Sequence, residues 1–252
     1  ILCRLMGMEG VLLLLPMAVA ILYGEETWTA FFAVGAGLIL VSLALGRKKP
    51  QNRTIYAKEG LFIVGMAWVL WSACGALPFV ISGAIPNFID AFFEAVSGFT
   101  TTGSTVMANV EAMPRGILFW RSFTHWVGGM GVLVFVMAII PLSDKNSLYL
   151  MRAEMPGPTA GKLVPKAMST AKILYAIYIG MTLVQVVLMM LGGVSLYDSL
   201  VYTFGTAGTG GFSIHADSIA HYHSVYIDVV VTVFMILFGI NFNLFYLILI
   251  GQ

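Results

Sequence analysis

Two short stretches of this chain share one arrangement, and it limits the possible folds sharply. They are Phe99-Thr100-Thr101-Thr102-Gly103-Ser104-Thr105 and Thr206-Ala207-Gly208-Thr209-Gly210-Gly211-Phe212-Ser213. Each follows a short apolar segment, residues 87–99 and 195–205, and each lies between much longer apolar segments. A membrane helix needs about 20 apolar residues, whereas runs of about 10–14 read as re-entrant or buried pieces. Irregular backbone cannot face lipid, so such loops must be enclosed by protein or line a water-filled cavity.

Composition supports a membrane setting. The chain has 252 residues, 59% of them hydrophobic and 10% charged, against about 25% charged in an ordinary soluble domain. Net charge is +1, so bulk charge points to no nucleic-acid partner. Cys3 and Cys74 read as unpaired small hydrophobes. The first apolar run has no small-residue cleavage site after it and is not read as a removed leader.

Six segments are long enough to span: residues 5–23, 27–46, 61–81, 117–142, 173–194 and 229–250. The first requires Glu9 near an interface and is expected to kink at Pro16. The fourth carries Arg121 and His125. With the N-terminus in the cytoplasm, 11 of the 13 Lys/Arg fall on the inner side, as the positive-inside rule requires. Eight of the 12 carboxylates, Glu94 and Glu111 among them, fall outside, where they would concentrate cations or simply be solvated. The expected fold class is an all-α integral membrane protein with a leading transmembrane hairpin and two membrane–pore–membrane repeats containing re-entrant half-helices. The expected divisions are 1–58 (hairpin), 59–142 (first repeat), 143–170 (cytoplasmic connector) and 171–252 (second repeat).

Both short segments open with a helix-start signature, Asn87 with Asp90 and Ser195 with Asp198. Their C-terminal ends would aim about half a negative charge at the loops, favouring a cation beyond. Pairing Gly103 with Gly210, Gly98 with Gly205 and Thr102 with Thr209 gives an offset of 107, against 108 for the capping boxes. A one-residue indel is therefore expected between box and loop. A dehydrated monovalent cation needs several weakly held oxygens, and backbone carbonyls supply them. One such loop alone would read as a turn; two in the same context predict filters. The expected ion-binding residues are Thr100, Thr101, Thr102 and Gly103, and Ala207, Gly208, Thr209 and Gly210. The ion is expected to be an alkali cation, with no organic cofactor.

With these residues in view, the chain resembles the membrane subunit of Trk-type bacterial potassium uptake systems, in a superfamily with Ktr and HKT transporters. The resemblance rests on Ser97–Thr105, on Trp120-Arg-Ser-Phe-Thr-His-Trp-Val-Gly-Gly-Met-Gly131, on Tyr149–Pro158 and on Thr209-Gly-Gly-Phe-Ser213. It implies four repeats around a pseudo-fourfold pore, of which this chain holds two, as the N-terminal half of a longer protein. It also implies an inner-membrane location among lipid, a homodimer, and a cytosolic nucleotide-binding regulatory ring protein as partner. Potassium transport, gated or in symport, is the implied function, with potassium as the implied ion at both loops. A sodium-permeable relative and a non-conducting half-subunit with an assembly role are the alternatives.

Other residues carry paired readings. Arg121 either pairs with Glu94 or Glu111 behind the filter, or snorkels to the interface. Gly128-Gly129-Met130-Gly131 reads as a close-packing surface in preference to a hinge, with His125 packed nearby. His215, His221 and His223 fit no standard metal spacing and read as a solvated loop. Asn241 and Asn243 are expected to bond to neighbouring helices or face a cavity. No nucleophile–base grouping points to an enzyme.

Overall fold

The computed structural model describes residues 2–46, 57–131, 167–242 and 244–245. The described residues are helical with connecting loops and contain no strand. The helices are α1 (Leu2–Leu12), α2 (Leu14–Leu22), α3 (Trp28–Gly46), α4 (Ala57–Ile81), α5 (Phe88–Phe99), α6 (Arg115–Gly129), α7 (Ala167–Leu191), α8 (Leu196–Ala207) and α9 (Val225–Gly239). A short 3-10 helix, Ser218–Tyr222, precedes α9.

Four helical stretches are long and apolar enough to cross a membrane: Leu2–Leu22, Trp28–Gly46, Phe62–Ile81 and Lys172–Leu191. The first is α1 and α2 end to end. Pro16 has no N–H to offer the carbonyl four residues back, and the helix is interrupted at Leu13. Glu9 is fully buried within the protein, with one carboxylate oxygen close to Gly75 of α4. Helices α6 and α9 begin earlier than hydropathy suggested: Arg115 rather than 117, Val225 rather than 229. The remainders of the expected spans, 132–142 and 246–250, lie outside the described residues. So do Asn243, the motif Tyr149–Pro158 and most of the connector 143–170, whose last four residues begin α7.

The repeat is plain in the helix bounds. Helices α4 and α7 are both 25 residues long, at an offset of 110; α6 and α9 are both 15 residues, also at 110. The short helices α5 and α8 are both 12 residues, at 108. The second unit thus has two fewer residues before its short helix and two more after its loop.

Helix α6 is the central post. It packs against α2, α5 and α8, and eleven of its 15 residues are buried, so it has almost no face left for lipid. Its aromatic side chains form the core behind the loops. Phe99 at the end of α5 meets Trp71 and Trp120, while Phe204 of α8 meets Phe119, Phe123 and Trp126. Each such pair contributes about 0.5–1.5 kcal/mol beyond the area it buries. Trp120 Nε1 donates to the Gly75 carbonyl (2.9 Å), tying α6 to α4.

The leading hairpin positions this post. Glu25, in the turn between α2 and α3, accepts the N–H groups of Arg115 (2.6 Å) and Gly116 (2.9 Å). A carboxylate there satisfies two orphan donors at the start of α6 and complements its dipole. Arg115 in turn lies over the Tyr23 ring, 4.3 Å from its centroid.

Candidate functional site: the paired Thr/Gly loops

Both short helices start as their sequences require. Asn87 Oδ1 accepts the Ile89 N–H (2.9 Å), and Ser195 Oγ accepts the Asp198 N–H (3.1 Å). Both helices then run into loops with the same backbone skeleton. In the first, the N–H groups of Thr100, Thr101, Thr102 and Gly103 bond to the carbonyls of Val96, Gly98, Ser97 and Ser97. In the second, those of Gly208, Thr209, Gly210 and Gly211 bond to Phe204, Thr206, Gly205 and Gly205. Every donor and every acceptor is displaced by 108.

Dihedral angles follow the same register. Thr101 and Thr209 have φ of 57° and 58°; Gly103 and Gly211 have 80° and 79°. The pairing of Gly103 with Gly210 at 107 is therefore corrected: the counterpart of Gly103 is Gly211, and there is no indel between cap and loop. By this register Ala207 matches Phe99, the last residue of α5, so the loop equivalent to 100–103 is 208–211. A β-branched residue in the left-handed region costs about 1–2 kcal/mol. The same strain at the same place in both units marks a constrained local geometry.

The loops touch. A Cβ at Gly103 would overlap the Gly210 carbonyl, and one at Gly210 would lie 2.8 Å from the Thr101 carbonyl oxygen. Among the described residues no hydrogen bond ends on the carbonyls of Thr100–Gly103 or Gly208–Gly211. Of these eight residues only Gly208 is buried; the others are half-buried or exposed. The site is thus a row of unclaimed acceptors at the C-terminal ends of two helices.

Behind it lies one buried ion pair. Arg121, 3% exposed, donates from Nε to Glu94 Oε1 at 2.6 Å. Burial rules out the snorkelling arginine, and Glu94 is the partner in place of Glu111. Glu94 also accepts from Thr105 Oγ1 (2.8 Å) and from the Val106 N–H (2.9 Å), gripping the exit of the first loop. Arg121 Nη1 donates to the Ser213 carbonyl (3.0 Å), gripping the exit of the second. Glu111 takes a separate role, accepting the Ala216 N–H (3.0 Å) and so bridging the segments that follow the two Thr/Gly loops.

The Gly128-Gly129 pair packs as expected. A Cβ on Gly128 would overlap the Phe99 backbone at the end of α5, and one on Gly129 would lie 3.0 Å from the Ala207 carbonyl at the end of α8. One helix therefore touches both short-helix ends. His125 is fully buried on the same post. The histidine loop holds a ring stack, His215 on His221 at 3.6 Å between centroids. Among the described residues no group of three or more His, Cys, Asp or Glu could hold a metal ion.

Sequence reasoning missed the Glu25 cap and the left-handed threonines, neither of which a local pattern marks.

These features define a multi-pass helical membrane protein with two copies of a helix, short helix, loop, helix unit around a shared post. The family model "TrkH: Cation transport protein" matches residues 28–251, and the chain belongs to the TrkH family of cation transport proteins. It is 34% identical to the Trk system potassium uptake protein TrkH of Escherichia coli K12, over 99% of this chain and 53% of that protein. It is also 34% identical to TrkG of the same strain, over 93% of this chain and 49% of that one. The crystal structure of the potassium transporter TrkH from Vibrio parahaemolyticus superposes with a TM-score of 0.81 at 31% identity, covering 97% of this chain and 49% of that one. The chain spans about half the length of the curated relatives it matches.

Proposed function

We propose that this chain contributes two of the carbonyl-lined filter segments of a potassium uptake protein. Helices α5 and α8 act as re-entrant half-helices, and residues 100–103 and 208–211 form the ion-binding loops. The observation that carries this reading is the matched pair of strained loops, in mutual contact, with eight carbonyls that no hydrogen bond among the described residues claims. Such carbonyls replace the hydration shell of a monovalent cation. The negative ends of two helix dipoles, about half a charge each, favour that cation further.

Gly103 and Gly211 supply the left-handed step that turns successive carbonyls to one side. Arg121 and Glu94 hold the loop exits without touching the ion. The role is transport, not catalysis. The relatives named as parts of a Trk system support potassium as the cargo. On the charge distribution, the N-terminus lies in the cytoplasm of a bacterial cell, in its inner membrane. A homodimer, and a cytosolic nucleotide-binding ring protein docked near residues 143–170, complete the proposed assembly.

The test is ion selectivity. In the natural-length protein, expressed in cells lacking other potassium uptake, Gly103→Ser and Gly211→Ser relax the preference for potassium over sodium. Wild-type preference in both variants would overturn the filter assignment. A wild-type protein that takes up sodium as readily as potassium would favour the sodium-permeable reading.

A further inference from the structure

The second loop is held by a device that the first lacks. Phe212 directly follows Gly211. The Arg121 guanidinium carbon lies 3.6 Å from the Phe212 ring centroid, and the His125 ring lies 3.9 Å from it, tilted by only 10°. Two flat groups that close to one centroid cannot share a face of the ring. Phe212 is therefore sandwiched between side chains one helical turn apart on α6. His125 also presses on the loop itself. A Cβ at Gly210 would lie 2.5 Å from His125 Cε1 and 2.7 Å from Nε2, and one at Gly208 would lie 2.6 Å from the His125 carbonyl oxygen.

We propose that this Arg121–Phe212–His125 sandwich sets the ion specificity of the second loop, with His125 as its positioning residue. The inference rests on the potassium-filter reading given above. Fixing the Phe212 ring fixes the backbone on the C-terminal side of Gly211, and with it the direction of the neighbouring carbonyls. The imidazole occupies the space beside Gly210 and so blocks the loop from relaxing backwards.

Three observations favour this role over simple core filling. Both ring nitrogens of His125 are buried, and the Ser97 backbone beside them completes no well-formed hydrogen bond among the described residues. An apolar side chain would be cheaper to bury there, so core stability does not account for a histidine. The sandwich also has no counterpart in the first unit: Ser104 stands where Phe212 does, at offset 108. On α9, Val231 and Met235 stand at offset 110 from Arg121 and His125. Finally, the ring touches the loop and not merely the helix behind it.

The experiment uses the natural-length protein in liposomes, with potassium and sodium fluxes and folded-protein yield measured together. His125→Ala lowers the potassium-to-sodium flux ratio about three- to tenfold, the equivalent of one lost aromatic contact. His125→Gln carries a flat amide of similar reach, and it regains most of that loss. If His125→Ala does not accumulate, Phe212→Leu decides, because it keeps the apolar bulk but removes the flat face; the same loss is expected. A wild-type ratio in the variant that decides, while Gly103→Ser relaxes selectivity, overturns the sandwich and leaves the filter reading standing. A wild-type ratio in that variant and in Gly103→Ser overturns both.

Discussion

The two loops share one backbone and are braced by different chemistry. In the first, Ser97 Oγ donates to the Ser104 carbonyl at 2.6 Å, and Glu94 collects Thr105 and Val106. In the second, the residue equivalent to Ser97 is Gly205, whose missing side chain lets the Phe212 carbonyl approach directly: a Cβ there would lie 2.6 Å from its oxygen. Side-chain hydrogen bonds hold the first loop; close backbone packing and ring stacking, with the Arg121 bond to Ser213, hold the second. The hydrogen-bond skeleton and the φ values are nevertheless the same in both. The backbone conformation is therefore the shared requirement, and each unit meets it with the side chains it has.

The shared brace gives the largest expected effect. Arg121→Leu strands Glu94 as a buried unpaired charge, at a cost of about 3–5 kcal/mol, and releases Ser213 as well. Both loops should fail together, read as loss of folded protein and of uptake. Damage confined to the second loop's selectivity would break the picture of one post serving both.

Next comes a contrast between equivalent glycines. Gly103 and Gly211 have the same φ, but a Cβ at Gly103 overlaps the Gly210 backbone while one at Gly211 meets nothing within 4 Å. Gly211→Ala should cost only the left-handed strain, about 1–2 kcal/mol. Gly103→Ala adds a backbone collision and should lower uptake and relax selectivity further than Gly211→Ala does. Equal effects in side-by-side uptake assays would contradict the contact between the loops.

A smaller effect is expected at Ser97. Ser97→Ala removes one hydrogen bond, worth about 1 kcal/mol, and should lower thermal stability with a mild loss of selectivity. The smallest effect on function is expected at Glu25. Glu25→Gln weakens the cap on α6 by about 0.5–2 kcal/mol. Thermal denaturation should register it, with the potassium-to-sodium ratio unchanged.

Much of this was legible in the chain because the bilayer imposes length and polarity rules on local sequence. Asn87 and Ser195 marked the starts of α5 and α8 as caps, and four of the six expected spans match helices long and apolar enough to cross. The loop register was harder. Matching identical letters paired Thr102 with Thr209 and Gly103 with Gly210, because sequence displays residue type and not dihedral angle. The structure instead pairs Thr101 with Thr209, two threonines in a conformation their β-branching disfavours. Glu25 was invisible for another reason: its partners lie 90 and 91 residues away, beyond any local pattern. Arg121 was recognisable as a charge needing a partner, but only packing could choose Glu94 over Glu111.

The most direct test is to locate the ion. A structure of the natural-length protein in rubidium, collected for anomalous signal, should show a peak bordered by the carbonyls of residues 100–103 and 208–211. A clear rubidium peak elsewhere, with these carbonyls turned away from it, would contradict the account.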